Sequence, residues 1–516
     1  MLFRSGSAQC ELGQEFIFAR TADPSNPRVY TCTYEKLIDD LRVDDRIMLA
    51  DGSVALRVTS KPPTNDRVIC VVEQPGEIRS RQGVNLPGVS LSTPSLTDKD
   101  LSDLGWALRN EIDFVSLSFV RSGRDLAHLR EEMARLKPAR DPLVVSKIEK
   151  VEAVQELDQI LELTDVVMVA RGDLGVEMPA EEVPLLQKEL IRKANSLGIP
   201  VITATQMLDS MVSSPRPTRA EVSDVANAIL DGTDAVMLSN ESAVGDFPVE
   251  AVATMSQIAR RIERDYPNRG DESQLASTIP NAISQAVSAI ARQLEAAAIL
   301  TLTKGGATAR NVSKFRPSTP ILAITSEVSV ARRLQLCWGV SPLLIEEQTS
   351  STSTFSLAMG MAREMGVLND GDLVVQTAGT LSGVSGSTDF IKVGIVSAVL
   401  SKGVGIGNGS VSGRVRVVNS PEAAASIQAG EILVVRETTA DYVEAIRKAK
   451  GVIAEVGDAD SHTALIAQRT GIPAIVGVSD AIANLRQGEI VTLDLRRGEV
   501  HRGARSHNPD HNGAIV

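Results

Sequence analysis

With 516 residues and 43% hydrophobic content, the chain can bury several cores, and usual domain sizes imply about three or four domains. A net charge of −12 with only 3% aromatic residues argues against a nucleic-acid surface, which needs basic patches and stacking rings. Cys10, Cys32, Cys70 and Cys337 are scattered without a CxxC pair, so neither a disulfide framework nor a zinc site is indicated, and a reducing, cytosolic setting fits. The start MLFRSGSAQC lacks an apolar signal core, and no run reaches the length of a membrane span.

Residues 1–87 read as a small all-β unit, with short apolar runs at 15–19, 28–32, 46–49, 54–58 and 67–73 separated by the turn-forming ADPSNP, ADG, KPPTND and QPGE. The ADG tip at Asp51 is either a plain turn or a point of substrate contact. From residue 88 to about 270 the texture changes to strands alternating with helices. Thr97 caps a helix through Leu108, and 114–120 is a strand ending in Ser118 and Arg121. Three apolar runs follow, LVVSKIEK, DVVMVARGDLG and GIPVITATQML, separated by amphipathic patterns at 151–163 and 183–197. That order predicts a parallel sheet with right-handed crossovers. Thr218 and Glu221 form a capping box, and 235–238 is a fifth strand.

Each of the three central runs ends in polar residues: Lys147 with Glu149, then Gly172 with Asp173, then Thr205. Strand C-termini are where α/β folds place ligand sites. Glu149 and Asp173 are hard oxygen donors suited to Mg²⁺. Lys147 would stabilise charge developing on a phosphoryl group or an enolate. Gly172 opens a turn or helix start whose N–H groups can cradle a carboxylate.

After the linker DYPNRGDESQ, residues 275–397 form another βα series, with a helix at 283–294, strands at 298–302 and 321–325, and a helix from Ala307. The loop Thr303, Lys304, Gly305, Gly306, Ala307, Thr308 is an anion cradle or an ordinary βα turn. A second loop, QTAGTLSGVSGST, would clamp the same ligand. Residues 403–413 read as a glycine-rich junction to a last domain at about 403–500. It carries strands at 432–435 and 452–454, a helix at 442–449, and the segment GDADSHTALIAQRTGIPAIVGV around His462. A disordered tail is expected over 501–516. His128 reads as helix surface, and His501, His507 and His511 as terminal.

The strings MVARGDLGVEMPAEEVPLLQKELI, PVITATQMLDSM and PRPTRAEVSDVANAILDGTDAVML resemble pyruvate kinases, over nearly the whole chain. The resemblance implies an α/β architecture: an incomplete (β/α)8 TIM-type barrel, an inserted β-barrel lid domain, an α/β regulatory domain and a C-terminal phosphohistidine-like swivelling domain. It implies transfer of a phosphoryl group from phosphoenolpyruvate to ADP, with Lys147 and Thr205 catalytic. Lys147, Gly172, Asp173 and Thr205 would contact substrate, and Glu149 and Asp173 would hold Mg²⁺. A phosphorylated allosteric metabolite, a homotetramer and a cytoplasmic location are further expectations.

The chain departs from the family pattern in several places. Gln82, after Arg81, stands where a nucleotide-contacting lysine is usual, and Ser239–Ser242 reads SNES rather than SGET. His462 matches the phosphohistidine of the added domain, but Asp460 replaces a threonine, so packing or regulation competes with phosphotransfer there. Only five barrel strands are readable. The three expected ahead of them would carry the substrate arginine and the K⁺ ligands, and the intact gene product is expected to begin upstream. Two alternatives stand beside this reading: a catalytically incompetent regulatory protein with an incomplete barrel, and an enolate lyase on a related metal-dependent barrel.

Overall fold

A computed structural model describes residues 7–23, 26, 28–50, 52–79, 82–89, 92, 94–138, 140–265, 278–346, 351–369, 371–379, 388–396 and 399–502. Asp51, Arg81, most of the 265–274 linker, residues 380–387, and His507 and His511 in the tail lie outside them. The chain divides into two compact units. One runs to residue 277 and takes in 310–318 and 332–339; the other holds 278–309, 319–331 and the chain from 340 onward.

The first unit begins with eight strands: β1 (Ser7–Cys10), β2 (Glu15–Ala19), β3 (Val29–Tyr30), β4 (Arg46–Leu49), β5 (Val54–Ser60), β6 (Arg67–Gln74), β7 (Gly76–Arg79) and β8 (Val84–Asn85). Six form one sheet in the order β3-β2-β6-β5-β4-β8, and β1 pairs with β7. Alternation drives this unit, because successive side chains of a strand face opposite ways. In β6, Val68, Cys70 and Val72 point inward between partly exposed neighbours, and they join Phe16, Phe18, Ile47, Leu49 and Leu56 in one core. The Phe16 and Tyr30 rings stack with centroids 3.9 Å apart. Burial pushes the Cys70 thiol up to about 12, so it behaves as a small apolar filler. The expected strands are present within two residues at each end; β1, β7 and β8 are additional.

The same unit continues with a five-stranded parallel sheet: β9 (Phe114–Leu117), β10 (Leu143–Ile148), β11 (Val166–Ala170), β12 (Val201–Ala204) and β13 (Ala235–Val236). They lie in simple sequential order, β13-β12-β11-β10-β9, the topology that right-handed crossovers produce. The crossover helices pack Leu126, Leu129, Ile160, Leu186, Leu190 and Ile191 on the sheet. Thr97 caps the helix Asp98–Arg109 through a reciprocal box with Asp100, and Thr218 does the same with Glu221 for Arg219–Leu230, as expected. Two expectations need correction. The strand at 114–120 stops at Leu117, because Phe119 adopts φ +52° and leaves the extended region. The helix at 151–163 is two pieces, Val151–Gln155 and Leu157–Leu163, interrupted where Glu156 takes φ −99°, ψ 18°.

The second unit carries a sheet of β14 (Ala298–Leu302), β15 (Ile321–Thr325), β16 (Val340–Leu344), β17 (Leu373–Gly379) and β18 (Thr388–Ile395), ordered β16-β15-β14-β17-β18 with β18 antiparallel. The stretch QTAG, read above as the start of a loop, is the end of β17. Eight more strands complete the unit: β19 (Val399–Lys402), β20 (Val404–Ile406), β21 (Ser410–Val417), β22 (Glu431–Val435), β23 (Gly451–Ala454), β24 (Ala474–Val476), β25 (Ile490–Asp494) and β26 (Glu499–Arg502). Their order is β19-β26-β25-β21-β22-β23-β24-β20.

The glycine-rich stretch at 403–413 is therefore not a junction but contains β20 and the start of β21. A Cβ on Gly403 would lie 2.4 Å from the Val476 carbonyl oxygen, and one on Gly405 1.9 Å from that of Leu495. These glycines permit close backbone approach rather than flexibility. His501, expected in a disordered tail, is 2% exposed within β26.

Candidate active site

The parallel register builds the site. Ser146 of β10 lies opposite Leu117 of β9, so Lys147 follows beside Ser118, and its Nζ donates to Ser118 Oγ at 3.1 Å. The same ammonium lies 2.5 Å from Glu149 Oε1. Glu149 is 1% exposed, and its second oxygen accepts the Phe119 N–H at 2.6 Å. The left-handed turn that ends β9 is what aims that N–H at the carboxylate. A buried carboxylate is tolerated because a cation and a backbone donor meet its two oxygens.

Ala170 of β11 pairs with Ala204 of β12, which sets the next residues, Arg171 and Thr205, side by side. Arg171 donates to the carbonyls of Ala204 (3.3 Å) and Thr205 (2.8 Å) and pairs with Asp224 at 2.6 Å. This clamp fixes a strained loop in which Thr205 and Gln206 have φ +70° and +53°. A β-branched residue at positive φ is a true outlier, and such strain is held only where the surroundings over-determine it. Thr205 Oγ1 accepts the Gly172 N–H at 2.8 Å and donates to the Ala204 carbonyl at 2.6 Å. Helix Arg171–Glu177 follows β11 at once, placing Gly172 and Asp173 in its first turn. Asp173, Lys150, Ser116, Ser118, Phe119 and Arg121 line part of a cavity of about 790 Å³.

Several participants escaped the sequence reading. Lys150 pairs with Glu177 at 2.5 Å, with both side chains buried. Burial pushes the Glu177 carboxyl above its ordinary value; Lys150 limits the rise and the Asp173 charge adds to it. Glu241 is 1% exposed and accepts the backbone N–H groups of Leu208 (3.0 Å) and Ser239 (2.7 Å). The SNES segment thus anchors the loop that carries Thr205. Gln82, singled out in the sequence, accepts the Arg79 N–H at 2.5 Å. The run KIEK and the acid inside SNES were the only sequence hints.

Among the described residues no cluster of three or more His, Cys, Asp or Glu side chains forms. The acidic donors of the site are Glu149 and Asp173, at the ends of adjacent strands. That set fits Mg²⁺, which is held through one or two carboxylates while water and substrate oxygens take the remaining positions.

In the second unit, Thr303 Oγ1 accepts the Gly306 N–H at 2.9 Å, Gly306 has φ +86°, and Thr308 Oγ1 meets Thr388 Oγ1 at 3.2 Å. All three threonines are buried, while Lys304 and Gly305 face outward. His462 opens the helix His462–Thr470. Its Nδ1 is 2.8 Å from Thr438 Oγ1, and its ring is exposed.

A parallel α/β sheet with lysine, carboxylates and a clamped threonine at its strand C-termini defines an enzyme class that handles anionic substrates. Residues 3–252 match the pyruvate kinase barrel domain, 281–394 the pyruvate kinase alpha/beta domain and 427–498 the mobile domain of PEP-utilising enzymes. Pyruvate kinase 2 of Synechocystis is 52% identical over 500 residues, covering 97% of this chain and 84% of the relative. The pyruvate kinase of Geobacillus stearothermophilus is 44% identical over 510 residues, covering 97% and 86%. A crystal structure of a Cryptosporidium parvum pyruvate kinase superposes with a TM-score of 0.69 at 34% identity, over 77% of this chain and 81% of that one. The chain belongs to the pyruvate kinase family.

Proposed function

We propose that the first unit moves a phosphoryl group from phosphoenolpyruvate to ADP and protonates the resulting enolate to pyruvate. The observation that carries this reading is the joint placement of Lys147, Glu149, Gly172, Asp173 and Thr205 at three adjacent strand ends. Glu149 and Asp173 would hold Mg²⁺, and the ion bound there would screen the charge on phosphoryl oxygens. Lys147, fixed between Glu149 and Ser118, donates to the phosphoryl oxygens and the enolate oxygen as negative charge grows on them. Its position is set before substrate arrives, so little reorganisation is required at reaction. The substrate carboxylate takes the first turn beside Gly172. Thr205, held at a fixed orientation by Gly172 and Ala204, sits toward the carbon that gains a proton. Positioning and electrostatics carry the catalysis.

K⁺ is a family expectation to which no residue of this chain is assigned, and no step is derived through it. The loop Thr303–Thr308 would take a phosphorylated effector through Lys304, and a homotetrameric assembly follows the same expectation. A cytoplasmic location fits four free cysteines, and no described helix is long and apolar enough to cross a membrane. For His462, packing or regulation is favoured over phosphotransfer: Asp460 lies two residues before it and would repel an incoming phosphate. Relatedness to pyruvate kinases over 97% of the chain disfavours the incompetent-scaffold alternative.

Following phosphorus by NMR tests the reading. With Mg²⁺, the phosphoenolpyruvate resonance should decay as the γ-phosphate of ATP grows, and chelation should stop both. ATP that fails to form while phosphoenolpyruvate is consumed would point instead to a phosphatase.

A further inference from the structure

We propose that a second cavity, of about 390 Å³ within the second unit, is a binding site for a small organic anion that bears an apolar body. Its walls come from two different parts of the unit. Leu344, Ser353, Ser356 and Met361 belong to β16 and to the helix Ser351–Glu364, whereas Leu400 and Arg502 belong to the C-terminal eight-stranded sheet, Asn484 ends the short helix Ala481–Asn484, and Arg486 lies between that helix and β25. The volume lies at the small end of the range for metabolite pockets.

The polar lining is not symmetric in charge. Of the ionisable side chains that line the cavity, two are the arginines Arg486 and Arg502, and one is Glu346. Arg502 is 11% exposed. One terminal nitrogen pairs with Glu364 at 3.1 Å and Glu489 at 3.5 Å, while its Nε is buried and donates to no acceptor among the described residues. A guanidinium is a planar fork suited to binding two oxygens of one carboxylate or phosphate. The guanidinium packs over Gly360, where a Cβ would crowd it at 3.3 Å from its central carbon. Held by its two carboxylate partners and lining the cavity together with Arg486, Arg502 makes that end of the cavity a preorganised anion contact. Ser353, Ser356 and Asn484 supply neutral hydrogen-bonding groups around it, and Leu344, Leu357, Met361 and Leu400 supply the apolar surface. A ligand there would tie the helix Ser351–Glu364 to the C-terminal sheet.

The test is binding to the full chain, read by ligand-observed NMR, so its outcome is independent of turnover. Phenyl phosphate and benzoate are the two anionic probes, and neutral benzyl alcohol is the control. One anion, the phosphate or the carboxylate, should bind saturably, and the stronger probe identifies the headgroup. Arg486→Gln should weaken that binding about tenfold, as loss of a charge-assisted hydrogen bond does, and Ser356→Trp, which fills the cavity, should abolish it. Binding to the first unit's site would be unchanged by both variants, so only the wild-type minus variant difference counts. Equal affinity in wild type and Arg486→Gln, or benzyl alcohol binding as tightly as the anions, overturns the proposal. Should Ser356→Trp fail to fold, Arg486→Gln still decides.

Discussion

Thr205 shows how much of the site rests on single atoms. Its hydroxyl is the acceptor for the Gly172 N–H and a donor to Ala204, so Thr205→Val leaves a partly buried backbone donor unpaired at a cost of about 1–3 kcal/mol. Thr205→Ser keeps the hydroxyl and relieves β-branching at positive φ. The expected order of melting temperature and of kcat is therefore serine at or near wild type, with valine well below both. Glu177 gives a pH signature. Its folded value lies above the ordinary 4.5, chiefly through burial, so the folded state keeps a proton that the unfolded state has released. The stability from this group is complete below 4.5 and declines as pH rises through the folded value. Subtracting the Glu177→Gln melting curve from wild type at each pH should expose that decline; a flat difference would contradict it. Lys147, Glu149, Asp173 and Thr205 were legible because strand periodicity alone assigns them to strand ends. Lys150 and Glu177 were not, since their significance is a pairing across 27 residues that no local pattern encodes.

At the scale of elements, the helix Arg219–Leu230 does more than cross over. Glu221 closes the capping box with Thr218 and also accepts from the Ser210 backbone N–H (2.7 Å) and hydroxyl (2.5 Å). It thereby links the helix start to the segment that follows the Thr205 loop. Glu221→Ala should cost about 1–2 kcal/mol, as lost caps do, and should raise hydrogen exchange at Ser210 as well as at the helix start. A change confined to the helix would show that the link carries nothing. Regular elements were readable to within a few residues, because alternation and capping are local rules. The failures came where the local backbone departs from regular preference: a left-handed turn at Phe119 ends β9 early and presents its N–H to Glu149, and Gly403 and Gly405 look like linker residues but serve crowded backbone crossings.

For the whole molecule, the two units carry separate chemistries. The first holds the proposed phosphoryl-transfer site, and the second carries the outward Lys304 loop and the mobile-domain match around His462. If His462 serves packing or regulation, His462→Gln leaves steady-state pyruvate formation unchanged, and no phosphohistidine accumulates on wild type incubated with phosphoenolpyruvate. Acid-labile phosphate retained on the chain would reverse that assignment. The change from short alternating strands to βα repeats was visible in the sequence as a change of texture. The division into units was not, because residues 310–318 and 332–339 join the first unit from within the second α/β series.

The most direct measurement is pyruvate formation from phosphoenolpyruvate and ADP, with Mg²⁺, by wild type and Lys147→Met of matched melting temperature. The account predicts a fall in kcat of about 10²–10³-fold, typical for loss of a preorganised charge at the reacting oxygen, with KM changed far less. Wild-type turnover that survives intact in Lys147→Met would contradict it.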